Sequence, residues 1–277
     1  MMEMINNNYV EEGWIIEVDI THRCNLKCRH CNRLCNAESI YNTHRVIKDM
    51  DDRHIKYLCS QIRKYPAGKV RMIRILGGEP LLSPILKNSI RAFEALRTDG
   101  LIKDIVVMSN GTVSVPDYLQ PYIIHYPPKI QEKTGIAGII VAQEVYEIKE
   151  EKHVNITASP ADLGLTIDSP CNRYIGCGVH YSIYGFSLSA PCFPTLFVFQ
   201  NNHRYFIHHL PSSIEDFIDN GFAKEVCSNC VYGLRLLGYD TDKISNDKVG
   251  ERWSQEIVLN NKNGFIEPNT SWIKNVI

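Results

Sequence analysis

The chain has almost no net charge: 31 Asp and Glu stand against 30 Lys and Arg in 277 residues. A balance this even sets up no overall field to attract nucleic acid or an anionic membrane surface. Long apolar runs are missing as well, and none approaches the ~18–20 residues that a membrane span needs. The first nine residues, Met1 to Tyr9, are rich in Asn and lack the apolar centre of a signal peptide. These absences predict a cytoplasmic protein with neither a membrane nor a nucleic-acid partner. There is no internal repeat and no low-complexity tract. The length suits one large domain, or a domain with a small appendage.

Cysteine, by contrast, is plentiful. In a reducing compartment the ten cysteines are expected to be metal ligands rather than disulfides. They fall into two groups, Cys24, Cys28, Cys31 and Cys35, and then Cys171, Cys177, Cys192, Cys227 and Cys230, with none beyond. Cys59 stands apart among apolar residues at helical spacing and reads as a core thiol. The first group opens as C-x3-C-x2-C. Three thiolates can ligate three irons of a [4Fe–4S] cluster and leave the fourth iron open to a group that is not protein. Zinc is the alternative on spacing alone, with Cys35 or His30 as a fourth ligand, although structural zinc favours two short pairs.

Periodicity predicts an α/β chain. Trp14 to Thr21 alternates and reads as a strand, with Glu17, Asp19 and Thr21 on one face. A helix starting at Asp51 or Asp52 places Ile55, Leu58 and Ile62 on one side. Val70 to Leu76 and Ile102 to Met108 read as strands, with a helix over Ile85 to Leu96 between them. Strands separated by helices argue for a parallel sheet. Further strands are expected at Tyr122 to Tyr126, His153 to Ala158 and Leu163 to Asp168, and a helix at Ile139 to Glu151. The composition changes near residue 169, where a domain boundary is expected. Residues 239–277 read as a loosely packed tail.

Gly77-Gly78-Glu79-Pro80 ends the second strand, where α/β folds place their ligands. Two glycines allow close backbone approach, Glu79 can accept from an ammonium group, and Pro80 stiffens the exit; an ordinary turn is the alternative. With the cysteine loop upstream, this motif resembles the radical SAM superfamily over residues 14 to 168. The resemblance implies a partial (β/α)6 barrel and a [4Fe–4S] cluster on Cys24, Cys28 and Cys31, with S-adenosylmethionine on the open iron. It implies that His30 stacks on the adenine and that Gly77, Gly78 and Glu79 hold the methionine amino group. Ser109 and Asn110, at the end of the third strand, match a position that binds the SAM ribose or carboxylate, or they form a plain turn. The implied chemistry is a 5′-deoxyadenosyl radical that takes hydrogen from an unactivated C–H. The implied electron source is an external donor such as flavodoxin or ferredoxin. Arg23, Lys27, Arg29 and Arg33 either balance the cluster charge or form a solvated basic loop. Arg74 either points into the barrel towards a polar substrate or faces outward. Glu17 and Asp19 either line the interior or face solvent.

The later thiols resemble the small Twitch type of auxiliary-cluster domain, over residues 170–238, after a barrel at 14–169 and an extension at 1–13. By that resemblance Cys177, Cys192, Cys227 and Cys230 hold one further [4Fe–4S] cluster, with Cys171 competing for the first position. The longer SPASM form needs cysteines beyond Cys230. An auxiliary cluster can accept an electron or staple a small domain. The layout is similar to dehydrogenases of the 2-deoxy-scyllo-inosamine dehydrogenase type. The expected activity is oxidation or epimerisation of a small polar substrate such as a sugar or aminocyclitol. The alternatives are modification of a ribosomally made peptide or protein, and a non-catalytic iron–sulfur or zinc redox sensor.

Overall fold

The structure is a computed structural model that describes residues 13–26, 31, 33, 35, 49–124, 158–168, 170–171, 178–189, 192–199, 205–218, 221–239, 250–256 and 271–273. Strand β1 (Trp14–Thr21) leads through the cysteine loop to helix α1 (Asp52–Ile62), strand β2 (Val70–Gly77), helix α2 (Leu86–Thr98) and strand β3 (Asp104–Met108). A short strand β4 (Ile123–Ile124) and a hairpin of β5 (Val179–Ser182) and β6 (Gly185–Leu188) complete one sheet in the order β4-β3-β2-β1-β5-β6. Every pairing is parallel except β5 with β6. The α/β expectation is thus met by a parallel-rich sheet.

Local chemistry explains the first half. Asp51 caps α1: its carboxylate accepts from the N–H groups of Arg53 and His54, and the His54 ring answers the Asp51 N–H. The buried sides of α1 (Ile55, Leu58, Ile62) and α2 (Ile90, Phe93, Leu96) share one core with Ile16, Val18 and Ile20 of β1 and Ile73 and Ile75 of β2. Each such side chain, taken fully out of water, contributes about 1.5–3 kcal/mol. Strands that follow one another in order, joined by right-handed crossovers, place their helices on the same side. The other face of the sheet is therefore an interior of its own. It carries Glu17, Asp19 and Thr21, all buried.

Three sequence expectations are corrected or reshaped. Leu163 to Asp168 is not a strand. Ser159 caps a 3-10 turn, Pro160–Leu163, which Gly164 ends in the left-handed conformation at φ 69°. The polar residues 239–277 are not loosely packed where they are described: Trp253 is wholly buried and its indole N–H donates to Asn229 O at 3.2 Å, while Trp272 stacks on His208 with ring centres 5.2 Å apart. The hairpin beyond residue 169 joins the main sheet, because β5 pairs with β1 through Glu17 opposite His180. The expected elements at 139–151 and 153–157 lie outside the described residues.

Downstream, α3 (Cys192–Phe199) is apolar among its described residues except for the buried Thr195. It is followed by α4 (Phe222–Glu225), a 3-10 turn over Cys227–Asn229, and α5 (Gly233–Leu236). Among the described residues no helix is long and apolar enough to cross a membrane.

Candidate active site at the carboxyl edge of the sheet

The loops that follow β1, β2 and β3 meet at one edge. The Gly78 N–H donates to Thr21 O at 2.8 Å and the Glu79 N–H to Arg23 O at 2.7 Å, so the glycine turn is zipped along the start of the cysteine loop. This contact requires the glycines. A Cβ on Gly77, at φ 133°, would stand 2.3 Å from Thr21 O; one on Gly78 would stand 1.9 Å from Arg23 O and 3.1 Å from the Cys24 Cβ. Pro80 begins the 3-10 turn that leaves the site.

Glu79 is fully buried, and its carboxylate accepts from the Leu81 N–H at 3.0 Å, the Ser109 hydroxyl at 3.0 Å and the Asn110 N–H at 2.7 Å. It thereby ties the ends of β2 and β3 together. The Asn110 amide in turn donates to Asn25 Oδ1 at 3.0 Å and approaches Cys24 Sγ at 3.8 Å. Cys24, Gly78, Glu79, Ser109 and Asn110, separate in sequence, thus form one network. The Cys24 sulfur also accepts from the Leu26 N–H at 3.5 Å, and the Cys31 sulfur from the Cys35 N–H at 3.4 Å. Such N–H···S bonds stabilise thiolate charge and are among the levers that tune iron–sulfur clusters. Cys24 and Cys31 are both partly exposed. The donor set therefore fits a cluster at an open edge, whose third thiol, Cys28, lies with His30 outside the described residues.

Below this edge the inner face carries a row of polar residues. The strand registers set Arg74 of β2 opposite Glu17 of β1, Glu17 opposite His180 of β5, and His180 opposite Ser187 of β6. Arg74 Nη1 lies 3.0 Å from Glu17 Oε1, and the Ser189 hydroxyl donates to Glu17 Oε2 at 2.6 Å. His180 Nε2 lies 2.9 Å from Asp19 Oδ2. Arg33, from the cysteine loop, lies over this row, with Nη2 at 2.8 Å from Glu17 Oε2 and Nε at 3.3 Å from Asp19 Oδ1.

Burial pushes the Glu17 carboxyl up, but the Arg33 charge, the hydrogen bonds of Ser189 and Arg33 and the Arg74 charge outweigh it and hold it below its ordinary value. For Asp19 burial is likewise outweighed, by Arg33, His180 and His22, and its carboxyl is held far below the carboxylate range. Burial opposes the Arg33 charge in the same way, and Asp19 and Glu17 more than restore it. Glu17, Asp19 and Arg74 thus take the interior reading left open by the sequence. Arg33 is no part of a solvated basic loop, whereas Arg23 is largely exposed and paired with Asp49 at 2.9 Å. His180 stands out in the sequence as a hairpin residue that either reaches substrate or packs, and it is buried against Asp19. The two serines carried no signal, since their place depends on the long-range pairing of β5 with β1.

The second thiol set gathers around the turn at Cys227–Asn229. Cys171, Cys192, Cys227 and Cys230 are all buried. The Cys227 sulfur is bonded by the Cys171 backbone, and the Cys230 sulfur by the N–H groups of Tyr232 and Gly233 and by the Thr195 hydroxyl. Cys192 stands three residues before Thr195 on α3, on the same side of the helix. Burial and the Cys230 and Cys171 charges push the Cys227 thiol up to about 12. Burial and the Cys171 charge push Cys230 up to about 11. Among the described residues no three potential ligands converge to the spacing of a bound ion. Cys177 lies outside the described residues.

Residues 18–123 match the family model of the radical SAM superfamily. A GTP 3′,8-cyclase of Desulforamulus reducens is 31% identical over 109 residues, 39% of this chain and 30% of the relative. A GTP 3′,8-cyclase of Lactiplantibacillus plantarum is 30% identical over 110 residues, 40% of this chain and 30% of the relative. The matched part is thus under a third of these relatives' length. Among solved structures, BtrN in complex with AdoMet and 2-DOIA matches at TM-score 0.40 and 16% identity, over 77% of this chain and 88% of that one. SuiB of Streptococcus suis bound to S-adenosylmethionine matches at TM-score 0.28 and 22% identity, over 40% of this chain and 24% of that one.

Proposed function

Since the chain carries a radical SAM domain, we propose that it oxidises or epimerises a small polar substrate, such as a sugar or aminocyclitol, by removing hydrogen from an unactivated C–H bond. A [4Fe–4S] cluster on Cys24, Cys28 and Cys31, with S-adenosylmethionine on its open iron, supplies when bound the one-electron sulfonium cleavage and the carbon radical that this needs. Gly77, Gly78, Glu79 and Pro80 shape the wall on which the methionine end rests. Ser109 and Asn110 are held against that wall by Glu79, and His30 is assigned to the adenine.

The polar row beneath the thiols is the observation that carries the substrate class. Side chains of both signs, together with serines, suit a neutral or zwitterionic molecule rich in hydroxyl groups better than an apolar peptide side chain. Arg74, partly exposed at one end of the row, gives one of its N–H groups to Glu17 and has further donors for a substrate oxygen. Glu17 and Asp19 orient rather than accept protons, because a carboxylate held below its ordinary value is a weak base. The second thiol set supports one auxiliary [4Fe–4S] cluster that takes the second electron of an oxidation. Cys192, Cys227 and Cys230 belong to it, and Cys171, bonded to Cys227, is favoured over Cys177 as the fourth ligand. Flavodoxin or ferredoxin is the proposed external electron donor.

A second reading, a radical reaction on a nucleotide, is favoured by the two GTP 3′,8-cyclase relatives. One experiment tests both. The anaerobically reconstituted, dithionite-reduced protein is incubated with S-adenosylmethionine and either deuterated aminocyclitols and sugars or GTP, and 5′-deoxyadenosine is analysed by mass. Deuterium passing from an aminocyclitol or sugar into 5′-deoxyadenosine is the expected result. Turnover of GTP alone would establish the second reading. Bound zinc with no 5′-deoxyadenosine would overturn both and leave a metal sensor.

A further inference from the structure

The cysteine loop has two limbs, and they are secured differently. Its ends are pinched where the Thr21 hydroxyl meets Asp49 and the Met50 N–H donates to Ile20 O at 3.0 Å. The Cys24 limb is fixed by backbone bonds to the glycine turn, by Asn110, and by Asn25 donating to Thr112 at 2.6 Å. Among the described residues of the Cys31 limb, an anchor to the sheet comes from a side chain. Arg33, two residues beyond Cys31, is buried and reaches through the interior to both carboxylates of β1.

Arg33 is not the only partner those carboxylates have. Glu17 already has Arg74 and Ser189, and Asp19 has His180. A buried ion network is also poor value as a source of stability, since apolar side chains of similar size often serve as well. What Arg33 adds is geometry: a planar fork that engages two acceptors one β-repeat apart and so fixes where its own backbone lies.

We propose that Arg33 is a positioning residue whose guanidinium, anchored on Glu17 and Asp19, sets the place of Cys31 in the ligand set and keeps a positive charge beside it. The proposal rests on the reading of Cys24, Cys28 and Cys31 as cluster ligands.

The test uses the full chain, reconstituted anaerobically, as wild type, Arg33→Lys, Arg33→Met and the triple variant Arg33→Met/Glu17→Gln/Asp19→Asn. Four quantities are measured: iron retained after gel filtration, the melting temperature before reconstitution, the midpoint potential, and the change in the reduced-cluster EPR signal when S-adenosylmethionine is added. Arg33→Met is expected to hold its loop cluster about tenfold or more less tightly, as when a supporting partner of a metal ligand is removed. The fraction that remains is expected at a more negative potential, because a neighbouring positive charge has gone. Arg33→Lys keeps the charge without the fork, so it should recover the potential but not the retention. The triple variant leaves no unpaired carboxylate and should recover the melting temperature while iron retention stays low.

Wild-type retention and potential in Arg33→Met would overturn the proposal. So would recovery of both melting temperature and retention in the triple variant, since Arg33 would then serve only to neutralise the carboxylates. An EPR signal indifferent to S-adenosylmethionine in the wild type would instead defeat the underlying cluster reading.

Discussion

Cys24 and Cys31 lie partly exposed at the carboxyl edge of a parallel sheet, with the Asn110 amide beside Cys24. Cys171, Cys192, Cys227 and Cys230 are buried, in a region whose core is built from Leu196, Phe197, Phe222, Val226 and Trp253. Polar, open surroundings suit a centre that must exchange a ligand and meet a substrate. Apolar, closed surroundings suit a centre that passes electrons or stabilises the fold. The same residue type thus stands in two contrasting surroundings.

Replacing one thiol from each set should divide them most sharply. Cys31→Ala should reduce 5′-deoxyadenosine formation to background. Cys227→Ala should lose about four irons per chain yet still cleave S-adenosylmethionine when reduced. If Cys227→Ala abolished cleavage as well, the functional contrast would fail. Next in size is Gly78→Ala, which drives a methyl into Arg23 O and Cys24. Overpacking of this kind costs about 1–3 kcal/mol in unfolding experiments, and iron should be lost from the loop before the second set.

A smaller effect concerns pH. In the metal-free protein the folded-state values of Cys227 and Cys230 lie above the ordinary thiol value of 9.0. Folding then favours the protonated thiols. Their contribution is fully present below about 8.5 and is lost as pH rises through the folded values towards 11 and 12. Thermal melts of the apoprotein between neutral and alkaline pH should show a decline that Cys227→Ser/Cys230→Ser reduces. The smallest effect serves as a control at a residue that belongs to neither set. Asp51→Ala removes the cap of α1 and should cost about 1 kcal/mol without changing iron content. The Asp51 carboxyl is pulled down to about 2, by hydrogen bonds from Arg53 and His54 that overcome burial. Its stabilisation is therefore present above the ordinary value of 3.8 and fades as pH falls towards 2.

Sequence patterns carried the first half of the fold well, because there each element is specified locally. Asp51 marks the start of α1, alternation marks β1, and the two glycines mark the end of β2. The interior row was only half legible. Alternation put Glu17 and Asp19 on one face, but that this polar face is buried as well as the apolar one shows only with β5 in place, whose His180 lies more than 160 residues later. Arg33 looked like one more basic loop residue, and its reach to two buried acids of β1 shows only once loop and sheet are assembled. The strand expected at Leu163 to Asp168 was an error that capping chemistry could have prevented. Ser159, Pro160 and Asp162 followed by Gly164 spell a short helical turn.

The place of β5 also orders events during synthesis. β1 is made before the other strands of the sheet and can pair with β2 as soon as residues 70–77 are made, yet its other edge lacks its β5 neighbour until residues 179–182 arrive. For most of translation that edge offers unpaired backbone groups and two acids awaiting His180 and Ser189, a template for the wrong partner. A fragment that stops before β5 should aggregate even though it contains the whole of the matched domain, and shielding of the nascent β1 edge should govern the yield of the intact protein.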